Sequence, residues 1–348
     1  YFEEVEKFGF INGPLLEATP PFEQGCFLKD LIHKNILEKE LEYFIYDSLP
    51  ELNENPLYSH QEKAIKKIMN GRNVVIASGT GSGKTECFLI PVYNYLLKQY
   101  QEGSLGPGVR TLLLYPMNAL ANDQLRRLRK ISKVLEEKMP DVKITFGRYV
   151  GDTPKTKREG EEKFRLSHPG EVPPKNELLS REEMQKSPPH ILITNYAMLE
   201  YLLLRPDDSP FFDGDYAKHW KFLVLDEAHI YNGAAGIEMG MLIRRLKDRI
   251  CKGESGILRC IATSATLAKE EADFEKAAKF ATNLFGEKFE WNSSNNEYQD
   301  IIKGERIKLL TLQEGLTLPL RLYPEIDEII TSINVSSVII EKCFGLFQ

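Results

Sequence analysis

The stretch "IASGTGSGKTECF" (76–88) sets a run of small residues between an apolar segment and a longer amphipathic one. The apolar run at 73–78 predicts a strand and the segment at 85–97 predicts a helix. Glycines at 79, 81 and 83 let the backbone come close to a ligand. Together with Thr80 and Ser82 they form a loop whose amides, at a helix N-terminus, suit an anion. Lys84 is placed to reach the outer phosphates of a nucleotide, and the Thr85 hydroxyl to hold Mg²⁺. The usual pattern has glycine at position 78, where this chain has Ser78. The plainer alternative is a flexible turn with a chance lysine, and the strand–loop–helix setting argues against it.

Such a loop needs a carboxylate at the end of a neighbouring buried strand. The stretch "FLVLDEAH" (222–229) supplies two. Asp226 is expected to hold Mg²⁺ through water, and Glu227 to orient and deprotonate an attacking water. Together the two motifs predict hydrolysis of ATP or GTP, with Lys84, Asp226 and Glu227 as the catalytic set. They do not say what the energy drives.

Around these motifs, short apolar runs at 73–78, 110–116, 144–150, 190–195, 221–227 and 258–266 alternate with helical stretches at 60–70, 85–100, 119–138 and 236–250. This alternation predicts an α/β fold with a parallel sheet flanked by helices, with the site outside the carboxyl ends of the strands. Residues 1–55 are expected to be a mostly helical extension, with one or two helices over 28–49. The charged, Pro-rich stretch 152–189 is expected to be a surface insertion with a short helix at 180–186. A helix is expected over 268–285, a strand at 306–310 and a further helix within 323–348, the last two in a following subdomain or linker at 291–348.

The chain has 348 residues, 42% of them hydrophobic, and a net charge of −6. That charge argues against nonspecific coating of nucleic acid, though not against a local basic track. Cysteines at 26, 87, 251, 260 and 343 have no paired spacing and are expected to be thiols in a reducing cytoplasm. No uncharged apolar run reaches the ~18 residues a membrane helix needs. The chain does not begin with Met and is expected to be a piece of a longer protein.

The quartet Asp226-Glu227-Ala228-His229 resembles the DEAH box of superfamily 2 helicases and translocases. Other stretches fit that family in order over residues 55–290: "LYSHQEKAI" (57–65), "PMNALANDQ" (116–124), "GRYVGDTP" (147–154), "ITNYAML" (193–199) and "SAT" (264–266). The wording of "LLLYPMNALANDQLRRLR", "ITFGRYVGDTP" and "GIEMGMLIRRLKDR" is similar to Lhr-like and MrfA-like bacterial DNA helicases, including those of phage defence. The resemblance implies a first RecA-like lobe over 56–290 that binds ATP with Mg²⁺. It implies that Gln61 reads adenine and Tyr58 stacks on it. Pro116, Asn118, Arg126, Gly151, Thr194 and Asn195 would face the nucleic acid, and His229, Ser264 and Thr266 would couple hydrolysis to movement. It further implies a DNA substrate and 3′-to-5′ movement. An Asn at 195 departs from the common pattern.

Motors of this family pair two such lobes. After Thr266 about 80 residues remain, too few for a second lobe of ordinary size. The chain is therefore expected to need a missing second lobe, and to have other repair or defence proteins as possible partners. An RNA-directed remodeller with the same quartet, and an ATP-dependent switch or scaffold, stay open. The basic clusters "LRRLRK" (125–130) and 244–249 read as solvated, salt-bridged faces, with phosphate contact as the alternative for the first. His60 reads as a capping or packing residue.

Overall fold

The computed structural model describes residues 20–79, 81–268 and 270–307. The chain divides into two units, and nearly all described residues belong to the larger, Phe22–Arg306. Its centre is one sheet of eight strands: β1 (Val74–Ala77), β2 (Thr111–Tyr115), β3 (Phe146–Arg148), β4 (Glu177–Leu178), β5 (Ile191–Asn195), β6 (Phe222–Leu225), β7 (Arg259–Ser264) and β8 (Ile301–Lys303). The order is β4-β3-β5-β2-β6-β7-β1-β8, and neighbouring strands pair in parallel.

Alternation along each strand sorts side chains onto two faces. Val74 and Ile76 of β1, Leu113 of β2 and Val224 of β6 join a core with α1 (Leu28–His33), α2 (Glu42–Ser48), α3 (Glu51–Glu54), α4 (Ser59–Met69), α5 (Lys84–Gln101) and α6 (Asn118–Lys138). Val75, Ala77, Leu112, Leu114, Leu223 and Leu225 join the opposite core. There α9 (Tyr196–Leu204), α10 (Gly233–Cys251) and α11 (Phe274–Phe285) cover the sheet. Both faces are buried, which is why β1, β2 and β6 are apolar almost throughout.

Three regions differ from the sequence-based expectation. Residues 22–55 lie in the same unit as the sheet, with α1 and α2 sharing its core. The sheet also runs past residue 290, because β8 pairs with β1 in register Val75–Ile301 to Ala77–Lys303. Finally, the stretch 152–189 is more than an insertion with one short helix. It holds α7 (Lys157–Ser167), the edge strand β4 and α8 (Arg181–Lys186). Thr156 caps α7 together with Glu159, and Phe164 and Met184 are buried. Its fixings are largely polar: Arg129 binds both oxygens of Glu177 at 2.7 Å. A charged pair leaves no apolar signature in the sequence.

The helix expected over 268–285 starts at Phe274, after a 3₁₀ turn at Glu271–Asp273. Of the strand expected at 306–310, Arg306 makes a single bridge to Phe22. Residues 308–310, the helix within 323–348, Cys343 and Thr80 of the loop lie outside the described residues.

Candidate nucleotide site and nucleic-acid face

Strand order alone divides the carboxyl edge of the sheet into two sectors. β6, β7 and β1 are consecutive neighbours, and they end in Asp226-Glu227, Ser264 and the glycine loop. β2, β5 and β3 lie to the other side of β6, and they end in Pro116, Asn195 and the Tyr149–Asp152 turn.

In the first sector, Gly81 and Gly83 take positive φ of 72° and 69°. A Cβ on Gly83 would collide with Gln61 Nε2 and stand 2.9 Å from Glu86 Oε2. Gly79 and Gly81 have nothing within 4 Å of that position, so the space beside them is open to a phosphate chain. The loop is braced from behind. Ser82 Oγ lies 2.6 Å from Ser78 Oγ and donates to the Gly79 carbonyl at 2.8 Å. Burial holds the His60 imidazole below its usual pKa, and its Nε2 meets the Ser82 carbonyl at 2.8 Å. Gln61 Nε2 donates to the Gly83 carbonyl at 3.0 Å, and Gln61 Oε1 accepts from the Tyr58 amide at 2.8 Å. Both ends of Gln61 are thus spent on the loop and its approach. The Tyr58 ring packs on Phe22 and stacks on His60.

Lys84 Nζ donates to the Ser78 carbonyl at 3.2 Å and lies 3.5 Å from Glu227 Oε1. A lysine and a carboxylate thus face each other across the open loop. Glu227 has φ +51°, uncommon outside glycine, which turns the chain sharply as β6 ends. Burial raises the Asp226 carboxyl above the usual range, and the hydrogen bond from Thr263 opposes that shift. The Thr263 oxygen also accepts the Glu227 amide at 3.3 Å. His229 Nδ1 lies 3.3 Å from both Glu227 Oε2 and Ser264 Oγ. Ser264 Oγ in turn accepts the amides of Thr266 and Leu267, each at 3.1 Å. Lys84, Thr85, Asp226 and Glu227 supply one cation, one hydroxyl and two carboxylates, a donor set that fits a nucleotide phosphate with Mg²⁺.

In the second sector, Asn118 is exposed at the start of α6 and accepts from Asn195 Nδ2 at 2.9 Å. Asn195 Oδ1 caps α9 through the Met198 amide at 2.8 Å. Met117, 60% exposed, follows the half-buried Pro116. Gly151 is exposed, and its carbonyl accepts from Arg181 Nη2 at 2.8 Å. Thr194 is a correction. It is fully buried, and its hydroxyl donates to the Tyr149 carbonyl at 2.6 Å, so it holds β5 to the motif turn and does not reach the surface.

The basic clusters disperse. Arg127 pairs with Glu86 and Arg129 with Glu177, while Arg126, beside Asp123, and Lys130 are exposed. In α10, Lys247 pairs with Glu287, Arg249 with Asp213, and Arg244 caps carbonyls of Gly240 and Asn283. The local salt-bridge reading fits these residues. Sequence inspection missed Thr263, Gln124, which donates to Thr85 Oγ1 at 3.1 Å, and the Glu86–Arg127 pair.

Among the described residues, no helix is long and apolar enough to cross a membrane. The chain is 34% identical to Druantia protein DruE of Escherichia coli over 79% of its own length and 19% of that relative's. It thus spans about a fifth of the relative it matches. Its fold is similar to the DUF1998 helicase MrfA bound to DNA, with a TM-score of 0.55 at 24% identity, over 86% of this chain and 32% of that one. It is also similar to the DEAD-box helicase Mss116 bound to single-stranded RNA, with a TM-score of 0.56 at 21% identity, over 79% and 46%. The family description "DEAD/DEAH box helicase" matches residues 58–274. The chain therefore belongs to the DEAD/DEAH box helicase family.

Proposed function

We propose that this chain is the ATP-binding lobe of an ATP-dependent DNA helicase or translocase, acting in the cytoplasm. The observation that carries the reading is the convergence of Lys84, Asp226 and Glu227 on the open face of the Gly79–Gly83 loop. In this reading the loop amides and Lys84 hold the phosphates, and Thr85 and Asp226 hold Mg²⁺. The ion would supply positive charge against the phosphate oxygens. Glu227 receives the proton of the attacking water, and Lys84, 3.5 Å away, keeps it oriented until nucleotide arrives. His229 links Glu227 to Ser264, and so the chemistry to the turn carrying Thr266. Gln61 and Tyr58 border the adenine end.

The strand would run over Pro116, Asn118, Arg126, Gly151 and Asn195, a sector separated from the phosphate loop by β7 and β6. Support for DNA comes from the motif wording and from the DNA-bound state of the MrfA neighbour. A fold neighbour of similar TM-score binds single-stranded RNA, so the test needs both strands. We also propose that a second lobe completes the site, and that the pathway is DNA repair or phage defence.

The test is ATP hydrolysis by the full-length protein, alone, with single-stranded DNA, with duplex DNA and with RNA, each against Lys84→Ala. Stimulation by DNA that vanishes in the variant supports the reading. Stimulation by RNA alone changes the substrate. Nucleotide binding without stimulation by any strand points to a switch or scaffold.

A further inference from the structure

Two side chains of α6 grip the first turn of α5. Gln124 Nε2 donates to Thr85 Oγ1 at 3.1 Å, and one turn further along α6, Arg127 pairs with Glu86. The partners are consecutive in α5, and Glu86 is 5% exposed. Gln124 closes the stretch "PMNALANDQ", whose Asn118 meets Asn195 in the nucleic-acid sector. The structure turns this residue the other way, toward the phosphate loop.

A threonine hydroxyl has one proton and two lone pairs, and its rotor is free unless a neighbour fixes it. The Gln124 amide takes one lone pair of Thr85 Oγ1. The second is left for a cation, and the rotor is fixed before a cation arrives. We infer that Gln124 is a positioning residue that presents the Thr85 hydroxyl to Mg²⁺, with the Arg127–Glu86 pair holding the two helices in register. The inference rests on the reading of Thr85 as a metal-holding residue. It adds that the preorganisation comes from α6, the helix whose first turn carries Asn118.

The readout is the affinity of a fluorescent ATP analogue, measured with Mg²⁺ and with a chelator, in the 348-residue chain. Their ratio isolates the metal-dependent part of binding. Gln124→Met keeps the length of the side chain and removes the donor. It is expected to lower the ratio about two- to tenfold, the value of one hydrogen bond, with chelator affinity unchanged. Thr85→Val is expected to lower the ratio as well, and Gln124→Met added to it to change nothing further, because the two act through one hydroxyl. If Gln124→Met fails to melt cooperatively, Gln124→Ala serves in the same cycle.

Three outcomes overturn the inference alone: Gln124→Met affinities equal to wild type both with and without Mg²⁺, equal losses in the two conditions, which mark a structural effect, or full additivity with Thr85→Val. Failure of the underlying reading looks different. There the wild-type ratio is near one, or Lys84→Ala binds the analogue as wild type does, and the inference falls with it.

Discussion

The Thr263 hydroxyl joins Asp226 to the turn that follows it: it donates to the Asp226 carboxylate while its oxygen accepts the Glu227 amide at 3.3 Å. Burial pushes the Asp226 carboxyl up, and the Thr263 bond is the first opposing influence. Asp226 must be ionised to hold a cation. Thr263→Val keeps the shape and removes the donor, so the carboxyl rises further. The Mg²⁺-dependent part of nucleotide affinity should then be lost at a higher pH than in wild type as the solution is acidified. Titration of analogue binding against pH measures this, and superimposable acid limbs in the two proteins would sink it.

Lys84 and Glu227 face each other at 3.5 Å, and the proposed function gives them different steps. Glu227→Gln leaves the loop and Lys84 in place, so analogue affinity should stay within a few-fold. Hydrolysis should fall about 10²–10⁴-fold, the range for a lost general base. Lys84→Ala removes charge-assisted hydrogen bonds of about 1.5–3 kcal/mol, so its affinity should fall roughly tenfold or more. Paired binding and turnover assays separate the two. Equal losses of binding in both variants would contradict this division of roles.

What was legible in the sequence was local. Residues 78–85, 226–229 and 264–266 are contiguous, each follows a largely apolar run, and each identifies itself without a partner. Six of the eight strands and the two-sided burial of the sheet followed from runs of the same kind. What was hidden depends on distant pairs. Thr263 looks like any β7 residue, since that strand is buried almost throughout. Gln124 meets Thr85 across 39 residues and Arg127 meets Glu86 across 41. The run "LRRLRK" looks like one basic patch in one dimension. At about 100° per residue on a helix its side chains diverge, and two of its arginines turn inward to carboxylates. β8 was missed because a three-residue strand carries too short a pattern to recognise.

The Arg129–Glu177 pair anchors the 152–189 region to α6. Glu177 is 3% exposed at the side chain and Arg129 15%. Arg129 also lies over the Phe164 ring at 4.8 Å and meets His168 Nε2 at 3.0 Å. Glu177→Ala strands a largely buried guanidinium, a change that costs about 3–5 kcal/mol. The loss should be local first: amides of α7 and β4 should exchange faster while those of β1, β6 and β7 keep their protection. Uniform loss of protection would show that the region is integral to the whole sheet. No change would show that the pair is dispensable.

His190 makes stability depend on pH at the opposite end of β5. The side chain is 3% exposed. Its Nδ1 accepts the Thr145 amide at 2.8 Å and its Nε2 meets the Gly106 carbonyl at 3.0 Å, an arrangement that suits the neutral ring with the proton on Nε2. A second proton would have to sit on Nδ1, against an N–H donor. Burial, reinforced by the Arg110 guanidinium, lowers its pKa from 6.5 to about 4. Arg110 is itself fully buried and bonds only neutral acceptors: Gln99 Oε1 and the carbonyls of Gly108 and Ser104. Between those two pH values the unfolded chain binds a proton that the native chain refuses. Stability from this group is therefore complete above about pH 6.5 and falls as pH drops toward about 4, by about 3 kcal/mol in all. His60, also lowered by burial, acts in the same direction, so the wild-type slope alone does not isolate His190. The measurement is the urea midpoint of wild type and His190→Gln from about pH 7 to about pH 5. The gap between them should narrow as pH falls, because the variant has no proton to refuse. A gap that stays constant across the window would mean that His190 titrates alike in the folded and unfolded chains.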